Sequence, residues 1–162
     1  MDCYFEPVVG KGAERRDELG NTAPYRSQPH RGCDWGFAGG SHRKPSIAVH
    51  DGVVERVFEN GALGHSVIVN MVCDNKWCQG VRYEYNHFDE PSKLKVGDKV
   101  VGGKTVVGLI GASGSSISNK GANHLHASAA AAPVPHEAER GKLIDLFKRI
   151  DISVANRKKV KP

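Results

Sequence analysis

Val81-Arg82-Tyr83-Glu84-Tyr85-Asn86-His87-Phe88 is the stretch that decides the architecture. Apolar and aromatic side chains alternate with polar ones, and a repeat of two residues is that of a β-strand with one face in a core. The same period puts His87 on the face of Val81, Tyr83 and Tyr85. Towards the N-terminus, Ile47-Ala48-Val49, Asp51-Gly52 and Val53-Val54-Glu55-Arg56-Val57-Phe58 read as strand, tight turn and strand. Asn60-Gly61 supplies a second turn, and His65 to Cys73 a further strand. Towards the C-terminus, Val96 to Val100 and Thr105 to Gly108 read as short strands around a Gly102-Gly103 turn. Gly111 to Ala122 is a Gly/Ser loop, and His124 to Ala130 a last strand. Residues 1–29 lack periodicity and read as an irregular arm. Helical spacing occurs only at Leu143, Leu146, Phe147 and Ile150, giving a short amphipathic helix. The expected fold is mainly β: one domain on a central antiparallel sheet, with long loops and a short C-terminal helix.

Composition agrees with that reading. A chain of 162 residues fits one domain with its own core, and 19 glycines with eight prolines favour turns and short strands. Residues 1–150 read as the domain and 151–162 as a basic tail. No run approaches the ~18 apolar residues of a membrane span. The opening Met1-Asp2-Cys3-Tyr4-Phe5-Glu6-Pro7 has neither the basic region nor the apolar run of a secretory signal. A net charge of +5 favours polyanions, nucleic acid and anionic wall polymers alike. No stacking aromatics interleave with Arg157-Lys158-Lys159-Val160-Lys161, so this cluster reads as a solvated, frayed terminus, not a specific nucleic-acid site. The four cysteines, Cys3, Cys33, Cys73 and Cys78, allow three pairings. Cys73 and Cys78 are close enough to bridge a loop, and no second pair makes them half of a zinc knuckle.

Three short clusters carry chemistry: His30-Arg31-Gly32-Cys33-Asp34, Tyr85-Asn86-His87 and His124-Leu125-His126. On a strand His124 and His126 point the same way, with α-carbons about 7 Å apart. Both imidazoles then reach one small site, one on a metal and one beside it. His30 and Asp34 add a nitrogen and an oxygen. Three protein ligands leave the fourth tetrahedral position to water, the arrangement of a catalytic zinc. Other motifs fail on spacing. Gly102-Gly103-Lys104-Thr105 is no phosphate loop, because Asp98 stands where its leading glycine belongs. His136-Glu137 is no helical zinc motif, because Arg140 takes the place of the second histidine. Gly111-Ala112-Ser113-Gly114 lacks the spacing of a nucleophile elbow. His42, His50 and His65 read as surface residues.

Taken with Asp51-Gly52-Val53-Val54, Val96-Gly97-Asp98-Lys99-Val100 and Gly108-Leu109-Ile110-Gly111-Ala112-Ser113-Gly114-Ser115, the three clusters resemble in order those of the lysostaphin-type (LytM-like) zinc endopeptidases of peptidoglycan. The likeness spans residues 24–130. It implies a duplicated-hybrid-motif fold, one zinc on His30, Asp34 and His126, and an unliganded pair, His87 and His124, at the bound water. Zinc lowers the pKa of its water towards ~7 and polarises the scissile carbonyl. His124 is assigned as general base and His87 as stabiliser of the oxyanion, with the exchange of these roles left open.

The implied activity is cleavage of peptide bonds in peptidoglycan stems or cross-bridges by a monomer with no specific nucleic-acid partner. Without a leader, the expected setting is phage lysis. Such an endolysin is made in the host cytoplasm and acts on the wall; a virion-borne wall-degrading tail protein is the variant of that reading. Two rivals stand beside it: a non-catalytic peptidoglycan-binding or activator module on the same fold, and a Cys–His hydrolase using Cys33 with His87 or His124. The family follows its last histidine with Phe-Glu, whereas Ala127-Ser128 stand here, so support around that ligand differs. Cys33 is read as filling an apolar niche and Tyr25 as a packing residue.

Overall fold

The computed structural model describes residues 3–74, 78–115, 122–131 and 134–160; the expected Gly/Ser loop lies outside them from 116 to 121. Among the described residues the chain forms β1 (Ala13–Asp17), β2 (Cys33–Phe37), β3 (Pro45–Ile47), β4 (Gly52–Asn60), β5 (Gly64–Met71), β6 (Arg82–Phe88), β7 (Lys99–Val100), β8 (Val106–Leu109), β9 (Leu125–Ala130) and helix α1 (Leu146–Val160). Seven strands make one antiparallel sheet in the order β1-β2-β9-β6-β5-β4-β7, and β3 pairs with β8 separately. The mainly β, antiparallel architecture is the one read from the sequence.

The alternation along β6 explains the layering. Tyr83 and Tyr85 face the core, where their hydroxyls donate to the carbonyls of His50 and Ile47 and satisfy two buried donors. Trp35, Leu125, Ala127, Val67 and Val69 share that face, closed by Val49, Val107 and Ile110 near the small sheet and by Leu146 and Ile150 of α1. The opposite face is polar yet buried: Asp34, Ser66, Glu84, Asn86 and Ser128. Asp34, Asn86 and Ser128 of this face line a groove.

Four local readings are corrected. The irregular arm contains β1, an edge strand of charged residues whose pattern carries no apolar period. It is held by pairing to β2 and by Arg15, which donates to Glu6 and Asp151 and stacks on Phe147. The turn at Gly102-Gly103 occurs, while the chain bends at 49–50 and Gly52 already begins β4; the strands around these points do not pair with each other, as β3 and β8 form the small sheet while β4 and β7 join the large one. The basic residues up to 160 continue α1 instead of fraying. Asp145 Oδ1 accepts from the Lys148 N–H at the helix start, and Arg157, Lys158 and Lys159 complement its C-terminal dipole. Arg157 also donates to the Tyr4 carbonyl and lies over the Phe5 ring. His50 is buried, packed edge-on against Tyr4.

Cys73 and Cys78 form a disulfide, while Cys3 and Cys33 are free. Cys33 is fully buried, as its niche reading anticipates, and burial pushes its thiol up to about 11. A thiol so far from ionisation is no nucleophile near neutral pH, which removes the Cys–His reading.

Candidate active site

Two β-bulges bring the site together. In the β1–β2 pair, Arg15 opposes Trp35 and Asp17 opposes Asp34, so Arg16 is an extra residue. Arg16 and Asp17 both turn to the groove side. In the β5–β6 pair, His65 opposes Phe88 and Val67 opposes Tyr85, so Asn86 and His87 face the single residue Ser66. His87 has φ +67°, a left-handed conformation rare outside glycine. Strict alternation puts His87 with Tyr83 and Tyr85 in the core. The bulge and the positive φ carry it to the groove instead, and Phe88 takes the core position against Tyr85.

His126 on β9 sits opposite both Asp34 on β2 and Asn86 on β6. His30 precedes β2 by one turn. Three atoms converge: His126 Nδ1 lies 2.9 Å from Asp34 Oδ1, His30 Nε2 3.2 Å from Asp34 Oδ1, and the two nitrogens 3.1 Å apart. Donors about 2.1 Å from a tetrahedral zinc stand about 3.4 Å from one another. The set therefore fits such an ion with a small outward adjustment, and its hard-to-borderline N, N, O chemistry suits zinc. Among the described residues this is the cluster of His, Cys, Asp and Glu side chains that could hold a metal. His30 Nδ1–H donates to the Glu18 carbonyl at 3.0 Å, which leaves Nε2 as the free lone pair. Despite its burial, the adjoining His126 and His30 rings hold the Asp34 carboxyl well below the usual carboxylate range, so it is ionised and available to ligate.

Gly32, inside the first motif, is required by close approach. A Cβ there would stand 2.4 Å from the Ala127 carbonyl oxygen and 2.8 Å from the His126 ring. Gly36 makes room in the same way for the Arg16 guanidinium, which crosses β2 and donates to the carbonyls of Asn123 and Phe37. Arg26 pairs with Asp17 and lies 3.9 Å from Asp34 Oδ2.

His124 and His87 flank the three donors, their ring centres 5.3 Å apart. His124 Nε2 is 3.8 Å from Asp34 Oδ1. Each holds its Nδ1–H on a carbonyl, His124 on Ala122 at 2.9 Å and His87 on Ser113 at 2.8 Å. A carbonyl can only accept, so the neutral tautomer of either ring presents a bare Nε2. Burial first, then the positive charge that His126 can carry, lowers the His87 pKa to about 4. All five residues line one groove of about 1110 Å³, beyond the roughly 300–1,000 Å³ of small-molecule pockets and long enough for a polymer segment. Tyr25 is exposed on the rim of this groove, outside the core, with the Arg26 guanidinium 5.3 Å from its ring centre. Sequence reasoning named the five residues but missed Asp17, Arg26 and the Ser113 carbonyl. None of these has a spacing signal, although Gly32 in the first motif pointed to a close contact.

No protein-family model matches the sequence, and no curated protein does. Solved structures match closely in fold. A catalytic-domain variant of EnpA, a prophage-encoded M23 protein from Enterococcus faecalis, is 25% identical over 88% of this chain and 95% of that one, with TM-score 0.64. The catalytic domain of the antimicrobial peptidase lysostaphin from Staphylococcus simulans is 18% identical over 85% and 92%, TM-score 0.65. A chain of the SpoIIQ–SpoIIIAH pore-forming complex is 19% identical over 100% and 99%, TM-score 0.70. The fold is therefore that of the M23 group. That fold is shared with lysostaphin-type peptidases, the family its motifs resemble.

Proposed function

We infer that this protein is a zinc-dependent endopeptidase that hydrolyses peptide bonds in bacterial peptidoglycan. The observation that carries the reading is the convergence of His30, Asp34 and His126 beside two further imidazoles whose Nε2 lone pairs face the same groove. Zinc bound to the three donors would supply a Lewis acid for the scissile carbonyl and acidify the attacking water. The two Nε2 atoms are suited to accept that water's two O–H groups. His124 takes the proton as the water oxygen bonds to the carbonyl carbon, then returns it to the amine nitrogen as the C–N bond breaks. His87, too weak a base to hold a proton near pH 7, presents a lone pair and no N–H to the groove, so it orients the other O–H instead of taking the expected role at the oxyanion. The motifs, the fold and the likeness to EnpA and lysostaphin support peptidoglycan as substrate, and a phage lysis enzyme acting as a monomer is the setting we favour.

A non-catalytic module on the same fold is the second reading, favoured by the likeness to a chain of the SpoIIQ–SpoIIIAH complex. The filled set of three ligand and two imidazole positions supports the enzyme instead. Purified protein should clear a suspension of cell walls, stop on chelation and resume when zinc is restored, with mass spectrometry of the fragments identifying the bond. Clearing that survives exhaustive chelation would sink the zinc mechanism, and no clearing of any wall type would favour the module.

A further inference from the structure

Glu84 is a fully buried carboxylate on the polar face of the sheet, with no part in the five-residue site. Asn86 Nδ2 donates to its Oε1 at 2.8 Å, and the His136 ring Nδ1 and backbone N–H donate to its Oε2 at 2.7 and 3.3 Å. A buried carboxylate calls for a counter-charge, and the His136 ring is the group placed to supply it. The Glu84 hydrogen bond raises the His136 pKa accordingly, against desolvation.

With Nδ1–H committed to Glu84, the imidazolium keeps a charged Nε2–H donor. That nitrogen lies 3.4 Å from Oε1 of Glu137, a side chain 62% exposed. An exposed pair at that length is weak and readily exchanged. His136 lines the same groove as His30, Asp34 and His126. Its position is fixed from both sides: Arg31, inside the first metal motif, donates to the carbonyls of His136 and Ala138, and Phe58 stacks against the ring. Arg56, over the Phe58 ring, adds a second positive charge nearby. The register gives the spacing. Asn86 opposes His126 and Glu84 opposes Ser128, so Glu84, the seat of His136, stands two residues along the strands from the level of the metal ligand, about 7 Å, the span of an extended dipeptide.

We propose that His136, seated on Glu84, is a substrate subsite that binds a free carboxylate of the peptide about two residues from the bond that is cut. The proposal names the substrate class of the hydrolase inferred above and rests on that reading. The carboxylate displaces Glu137 and forms a charge-assisted hydrogen bond that an amide in its place cannot match.

The test uses stem-peptide pairs that differ only in a free carboxylate against its carboxamide. The full chain, zinc-loaded, is assayed for kcat and KM, and the chelated chain for binding by calorimetry. The acid form should be preferred about tenfold or more, chiefly through KM. His136→Gln should bring the ratio of the two forms close to one. Glu137→Gln, a surface change that removes the competing carboxylate, should widen it. Equal handling of the two forms by the unaltered protein would overturn the subsite, as would a preference that survives His136→Gln in a folded variant. Preferential binding without any cleavage would sink the hydrolase and leave the subsite standing.

Discussion

At the scale of single residues, the metal ligands and the imidazoles beside them separate by what each nitrogen faces. His126 turns Nδ1 to Asp34 and His30, while His124 turns only its Nε2 inward, at the longer 3.8 Å. His126→Ala should therefore lose bound zinc, whereas His124→Ala should retain it and be nearly inactive. Gly32→Ala belongs with the first group, because its Cβ collides with backbone at Ala127 as well as with the His126 ring. It should lose zinc and also cost about 1–3 kcal/mol of stability. Metal stoichiometry by elemental analysis, with thermal unfolding alongside, checks all three; a zinc-replete Gly32→Ala protein would show that the close approach is not needed.

At the scale of elements, the site depends on two bulged strands, only one of which carries a sequence motif. Asp17 on β1 accepts from the Glu18 N–H at 3.0 Å and so sets the carbonyl that fixes the His30 tautomer. It also holds Arg26 beside Asp34. Asp17→Ala should weaken zinc binding by about tenfold to a hundredfold, measured by competition with a chelator of known affinity. Unchanged affinity would reduce β1 to an edge strand without a part in the metal centre. The period-2 reading of β6 was right for Tyr83 and Tyr85 and failed at His87, where the extra residue shifts the pleat.

For the whole molecule, buried ionisable groups set the pH dependence of the metal-free chain. His87 has a folded pKa of about 4 against 6.5 in the unfolded chain. As pH falls from 6.5 to 4, the unfolded state takes up a proton that the folded state refuses, so stability is lost, on the order of 3 kcal/mol in full. Asp34, depressed in the fold, extends that loss below about pH 4. His136 acts in the other direction. Its raised pKa contributes stability in full below 6.5, lost as pH rises through the folded value. The melting temperature of chelated protein should fall on acidification below 6.5, and His87→Gln should flatten that slope. A melting temperature independent of pH between 4 and 6.5 would contradict the burial of a neutral His87.

Local pattern by itself determined most of the strands and the three histidine-bearing clusters, because period-2 hydrophobicity and short histidine spacings are written within a few residues of one another. Tertiary structure alone decided strand partners, the flip of His87, and the use of Asp17, Arg26 and Ser113. Those depend on which backbone lies alongside, and a charged edge strand or a carbonyl leaves no periodic trace. The same holds for Glu84 and His136, 52 positions apart in the chain. Only the closure of the 134–138 segment over the sheet makes an ion pair of them.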